Sequence, residues 1–236
     1  MDRISILVPT YKRNKFLPLL LRNVMIQDYP KELLTLLIQD DSPNGEELIK
    51  PEDIKKVKEH LHPVKLDYKR YHTKKTIGEK RNSLVKSAKD KIVVFLDDDD
   101  IYMPTYISYS YNMLKGNKVG CVGSNQMLFC MSQKNYEVYG INCGNNISLI
   151  HEATIMMTKK WFNSTCKFAR NSQGEGKNLF NGAEKNVFNT DIAKVMICLA
   201  HDGNTIDKMR FAEDDNKMDI TMNESLITIL EKILKS

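Results

Sequence analysis

Four consecutive aspartates, Asp97 to Asp100, stand out in this 236-residue chain as the residues whose chemistry most needs a ligand. Adjacent carboxylates repel and raise each other's proton affinity, so a run of four is unfavourable unless positive charge sits among them. A divalent cation supplies that charge. Hard oxygen ligands suit Mg²⁺ or Mn²⁺, which keep coordination positions open for water and phosphate. An acidic turn capping the next helix is the plainer alternative, but four carboxylates exceed what a cap needs. A second acidic pair, Asp40-Asp41, opens the turn-forming cluster Ser42-Pro43-Asn44-Gly45.

Both acidic groups end apolar runs. Ile4 to Val8 reads as a first strand, Phe16 to Ile26 as a helix by its apolar spacing, and Leu33 to Gln39 as a second strand ending at Asp40. A charged helix over Glu52 to His60, a strand over Lys65 to Tyr71 and a helix over Glu79 to Ala88 follow. The continuous apolar strand Ile92 to Leu96, which suits a parallel sheet covered on both faces, then runs into the aspartates. This alternation predicts an α/β fold with right-handed crossovers, in which ligands collect beyond the carboxyl ends of the strands. Asp40, Asp41 and Asp97 to Asp100 are therefore expected in one crevice.

Beyond residue 105 the pattern is mixed. A helix is expected over Tyr106 to Leu114, and strands over Gly120 to Met131, Ala153 to Thr158 and Val195 to Ala200, with a polar Gly/Asn-rich loop between. Leu226, Ile229, Leu230, Ile233 and Leu234 form one apolar helical face, expected to pack on a core or a partner.

With 42% hydrophobic and 28% charged residues, the composition is that of a globular protein, and no apolar run approaches the roughly 18 to 20 residues that span a bilayer. The five cysteines are widely spaced without a CxxC pair, which argues against a disulfide framework or zinc site and for a reducing, cytoplasmic setting. The net charge of +5, concentrated between Lys50 and Lys91, reads as a solvated face or as attraction for anionic phosphate. Basic residues without interleaved aromatics do not suggest nucleic acid.

Four segments together carry a family resemblance: Val8-Pro9-Thr10-Tyr11-Lys12-Arg13, Gln39-Asp40-Asp41-Ser42, Gly78-Glu79-Lys80-Arg81-Asn82 and Phe95-Leu96-Asp97-Asp98-Asp99-Asp100. In order and spacing the set resembles the family-2 glycosyltransferases of the GT-A fold. The likeness is strong over the first hundred or so residues and loose after them. It implies a mixed, mainly parallel central sheet flanked by helices, in one domain: residues 1–104 for the nucleotide sugar, 105–215 for the acceptor and 216–236 as a helical extension. It also implies a nucleotide-diphosphate sugar donor, with uridine as the default base, and inverting transfer to a glycan or other hydroxyl acceptor.

Carried over by position, Pro9, Thr10 and Tyr11, with Arg13 close behind, would line the nucleoside pocket. Asp41, with Asp40 beside it, would hydrogen-bond the base or ribose. Lys80 and Arg81 match the basic helix before the acidic motif, where the guanidinium would pair with donor phosphate or with the acidic cluster itself. Asp97 and Asp99 fit the two ends of the family's DxD motif, Asp99 as metal ligand and Asp97 as a ribose or outer-shell contact, although Asp98 and Asp100 leave the register open. His201 resembles a late histidine that completes the metal shell, and Asn204 and Thr205 read as its turn. Inverting transfer also needs a base. Glu175, on a Gly-rich loop expected to enter a helix, is favoured over Glu184. His151 and Glu152 are placed to face the acceptor, with Trp161 as a stacking surface; packing roles stand beside these.

A sugar nucleotidyltransferase is the rival enzyme, but the segment after the first strand lacks that class's Gly-rich phosphate loop. A non-catalytic nucleotide-sugar-binding module is the other rival.

Overall fold

The computed structural model describes residues 1–144, 146–202, 204 and 208–235. The elements in chain order are β1 (Ile4–Thr10), α1 (Leu17–Met25), β2 (Leu34–Asp40), α2 (Ile54–Leu61), β3 (Lys65–Arg70), α3 (Ile77–Ser87), β4 (Ile92–Phe95), β5 (Ile101–Tyr102), α4 (Tyr106–Gly116), β6 (Cys121–Gly123), β7 (Gln126–Met131), β8 (Glu137–Asn142), β9 (Met156–Thr158), α5 (Lys159–Ser164), β10 (Val187–Asn189), β11 (Met196–Ala200) and α6 (Glu224–Lys235). No helix among the described residues is long and apolar enough to cross a membrane.

Among the described residues a seven-stranded sheet has the order β10-β6-β9-β4-β1-β2-β3, and a four-stranded sheet the order β5-β11-β7-β8. Strands β4, β1, β2 and β3 run parallel. The expected parallel half is thus present, with its boundaries shifted by a residue or two. Its strands read as unbroken apolar runs because both faces are covered: Ile4, Ile6, Val8, Ile92 and Val94 feed one buried cluster, and Leu7, Val93 and Phe95 the other.

β9 inserts antiparallel to β4 and β6, so its leading residues, 152–155, lie beside the carboxyl end of β4. The second half of the chain thereby returns to the crevice. α6 packs Leu226, Leu230 and Ile233 into the core, as its apolar face predicts.

Three expectations need correction. The strand foreseen over 120–131 is two strands in different sheets, broken at Ser124-Asn125, where Ser124 Oγ accepts from the Gln126 amide and Asn125 Nδ2 donates to the Gly144 carbonyl. Ala153-Thr154 lies in a 3-10 turn, so β9 begins only at Met156. The loop carrying Glu175 enters no helix: residues 171–183 form successive turns, with left-handed backbone at Gly174 and Gly182.

Candidate active site

At the end of β4 the chain turns through the four aspartates, and their side chains part company. Asp97 accepts two hydrogen bonds from Arg81 Nη2, at 3.1 and 3.2 Å. Asp99 Oδ2 lies 3.2 Å from Arg13 Nη2 and 3.2 Å from His201 Nε2. Asp98 and Asp100 are buried. Asp100 Oδ1 accepts from the Leu199 amide at 2.9 Å, and its carbonyl accepts from Asn23 Nδ2 at 2.7 Å, which ties the turn to β11 and α1.

This division has an electrostatic consequence. Burial, reinforced by Asp99, pushes the Asp98 carboxyl well up, and burial pushes Asp100 up to about 7. Burial also opposes ionisation of Asp99, but the His201 and Arg13 contacts outweigh it and bring that carboxyl down to about 2. The four identical residues differ in their surroundings: Asp97 pairs with Arg81 and Asp99 with Arg13 and His201, whereas Asp98 is buried and Asp100, also buried, lies 3.9 Å from Lys208 Nζ.

The Asp40-Asp41 pair divides in the same way. Asp40 is fully buried, and its two oxygens accept from the Ser42 and Leu48 amides at 2.8 Å and from the Tyr68 hydroxyl at 2.5 Å. With its acceptors consumed in ordering the loop after β2, Asp40 does not present itself to a base or ribose, contrary to the expectation. Asp41 Oδ1 accepts from Lys80 Nζ at 2.7 Å and Oδ2 from the Lys75 amide at 2.6 Å. Lys80 also donates to the Thr10 carbonyl at 2.8 Å; burial lowers its pKa despite the Asp41 partner. Tyr11 is half-buried beside this pair, with Lys74 Nζ 4.2 Å and Lys80 Nζ 5.7 Å from its ring centroid, and Pro9 is half-buried two residues back. Thr10 Oγ1 is buried without a hydrogen-bond partner.

α3 delivers both Lys80 and Arg81. Its start is fixed by a capping box, in which the Thr76 hydroxyl accepts from the Glu79 amide and the Glu79 carboxylate accepts from the Thr76 amide. Gly78 allows the loop after α5 to dock, because a Cβ there would run into the Ala169 carbonyl. The docked loop presents Glu175, whose Oε1 accepts from Arg81 Nε at 3.0 Å. Arg81 is buried, and its pKa is raised because Asp97, Glu175 and Glu152 outweigh the desolvation of the guanidinium. Arg81 thus pairs with the acidic cluster, one of the two partners expected for it.

Glu152 accepts from the Gly176 amide at 2.9 Å, a pairing that sequence reasoning did not foresee. The Tyr102 hydroxyl accepts from the Asp97 amide at 2.8 Å and donates to the Ala153 carbonyl at 3.2 Å, fixing the 152–153 backbone to the aspartate turn. Tyr102 was also missed; its one signal was its place two residues after Asp100. His151 Nδ1 is buried without a hydrogen-bond partner, and burial lowers that imidazole to about 4.

Two expected contributors lie elsewhere. Glu184 is exposed and closes a local turn with the Gly182 amide. Trp161 is buried against Gly120 and Phe180 and offers no face for a sugar, because the apolar ring packs into the core. Asn204 Oδ1 accepts from the His201 amide at 2.7 Å, as a turn residue does. Thr205 lies outside the described residues.

The donor set suits a divalent cation of the Mn²⁺ type. Asp99 and His201 bring a carboxylate oxygen and an imidazole nitrogen within 3.2 Å of each other. Among the described residues, no three His, Cys, Asp or Glu side chains gather around a single point.

Comparison with known proteins agrees with this geometry. The family model described as glycosyl transferase family 2 matches residues 5–189. Poly(ribitol-phosphate) beta-N-acetylglucosaminyltransferase TarS from two Staphylococcus aureus strains, Mu50 and MW2, is 29% identical over 101 residues, 42% of this chain. The match spans 17% of the length of those curated relatives. Among solved structures, S. aureus TarS 1-349 in complex with UDP superposes with a TM-score of 0.64 at 16% identity, covering 84% of this chain and 60% of that one. The mannosyltransferase PcManGT from Pyrobaculum calidifontis, in complex with GDP-Man and Mn²⁺, superposes with a TM-score of 0.62 at 16% identity, covering 86% and 58%. These neighbours have the GT-A fold, and with the family match over most of its length the chain belongs to glycosyl transferase family 2.

Proposed function

We propose that this glycosyltransferase moves a sugar, with inversion, from a nucleotide-diphosphate donor, a UDP-sugar by default, to a hydroxyl of a glycan or similar acceptor. The observation that carries the reading is the paired display of Asp97 and Asp99 at the end of β4, with Tyr11 and Asp41 at the ends of β1 and β2 and Lys80 reaching Asp41 from α3. TarS in complex with UDP-GlcNAc and PcManGT with GDP-Man support a nucleotide-sugar donor, and the Mn²⁺ in PcManGT supports a metal.

Asp99 and His201 would hold Mn²⁺ or Mg²⁺, with Asp97 close by. Such an ion, when bound, neutralises charge developing on the diphosphate leaving group. Tyr11, beside Pro9 and Thr10, provides a shelf for the nucleoside, and Asp41, fixed by Lys80, gives it a polar edge. Arg13, paired with Asp99, would be a cation for the donor phosphate. The base is a carboxylate at the Gly176 turn, where Glu175 and Glu152 converge.

The test is incubation of the chain with UDP-GlcNAc, UDP-glucose, UDP-galactose and GDP-mannose, with and without MnCl₂. Metal-dependent release of nucleoside diphosphate is expected. Pyrophosphate formed from a nucleoside triphosphate and a sugar phosphate, with no diphosphate release, would instead identify a nucleotidyltransferase.

A further inference from the structure

Two carboxylates meet at the Gly176 turn, and their surroundings differ in a way that decides which one receives a proton. Glu175 is sealed: its side chain is 6% exposed, and Oε1 is held by Arg81 Nε. Arg81 is itself buried, so taking the charge from Glu175 would break a buried ion pair and strip the guanidinium of a partner, a loss of the kind that is strongly destabilising. Such a group is suited to fixing Arg81, and through Arg81 the carboxylate of Asp97.

Glu152 is only partly buried. One oxygen accepts from the Gly176 amide, and the other has no hydrogen bond among the described residues. Its place is set by the Asp97–Tyr102–Ala153 chain of hydrogen bonds at the carboxyl end of β4. Gly176 adds an independent observation. A Cβ at residue 176 would lie 2.5 Å from Glu152 Oε1, 2.7 Å from its Cγ and 2.9 Å from its Cδ. The missing side chain is therefore the space that the Glu152 carboxylate occupies.

Building on the glycosyl-transfer reading above, we infer that Glu152 is the base that activates the acceptor, with Glu175 a positioning residue that holds Arg81. The acceptor O–H proton passes to the free carboxylate oxygen of Glu152 as the acceptor oxygen bonds to the anomeric carbon. The bond from that carbon to the phosphate oxygen breaks, and its electron pair leaves with the nucleoside diphosphate. Glu152 then releases the proton to solvent through its exposed side. In donor hydrolysis, water takes the acceptor's place and the same base serves it.

Glu152→Gln keeps the oxygen that accepts from Gly176 and removes the base. Gly176→Ala keeps every carboxylate, and because the atoms it displaces, Glu152 Oε1, Cδ and Cγ, belong to a side chain and not to backbone, it moves Glu152 at modest cost to the fold. For the donor that wild type turns over with MnCl₂, both variants are expected to release nucleoside diphosphate at least about 100-fold more slowly. Both should keep the thermal shift given by UDP with MnCl₂. Glu175→Gln is expected to lower the melting temperature. Carbodiimide coupling of the folded wild type to glycinamide, read by mass spectrometry, should label Glu152 and spare Glu175. Release by Glu152→Gln within about threefold of wild type overturns the assignment, as does coupling at Glu175 without coupling at Glu152. Absence of release from wild type with every donor overturns the transfer reading, and this assignment with it.

Discussion

Neighbouring residues of one type do opposite jobs in this crevice. Asp99 is held charged at about 2 by His201 and Arg13 against its burial, and Asp100, one residue on, is pushed to about 7 by burial. Asp100 and His151 give a testable pair of pH effects. A carboxyl that titrates at about 7 when folded and near 3.8 when unfolded binds its proton more tightly in the native state, so its contribution to stability falls as pH rises between those values. His151 titrates at about 4 when folded and near 6.5 when unfolded; the unfolded state then binds the proton more tightly, and stability falls as pH drops through that window. From linkage the Asp100 effect is about 4 kcal/mol and the His151 effect about 3 kcal/mol, and the two oppose over nearly the same range. Melting temperatures in EDTA between pH 4 and 7 should change little from these two groups in wild type. Relative to wild type, Asp100→Asn should gain stability as pH rises and His151→Asn should lose it. Parallel curves for all three proteins would contradict the assignments.

At the scale of elements, α3 is the organiser, because one helical turn delivers Lys80 to Asp41 and Arg81 to Asp97 and Glu175. Its docking relies on Gly78, whose absent Cβ makes room for a backbone carbonyl. That neighbour cannot rotate away as a side chain does. Gly78→Ala is therefore expected to destabilise by about 1–3 kcal/mol and to weaken UDP binding, whereas Gly176→Ala should destabilise less. Denaturant unfolding of both variants checks the contrast. The same elements show what was legible in sequence. Ile4 to Val8, Leu33 to Gln39 and Ile92 to Leu96 announced themselves as strands because burial on both faces demands unbroken apolar runs. The β7–β8 hairpin did not, since its turn places Asn135 and Tyr136 in left-handed backbone with no glycine to mark it. Asp40 and Asp41 were legible as a site but not as separate roles, which depend on Tyr68 and Lys80 arriving from β3 and α3. The contact of Glu152 with Gly176 joins two loops 24 residues apart, and no local pattern encodes it.

Over the whole molecule, the parallel half places its polar residues at one sheet edge, and the second half closes on that edge from three directions. β9 brings Glu152, the loop after α5 brings Glu175, and β11 ends at His201. The division of the aspartate run follows from this convergence, because Asp99 is the member that faces His201. It is tested most directly by the thermal stabilisation that UDP gives with and without MnCl₂, in wild type and in the single variants Asp97→Asn, Asp98→Asn, Asp99→Asn and Asp100→Asn. The expected result is a Mn²⁺-dependent increment in wild type that survives in Asp98→Asn and Asp100→Asn and is lost in Asp99→Asn. An increment in Asp99→Asn equal to that of wild type would contradict it.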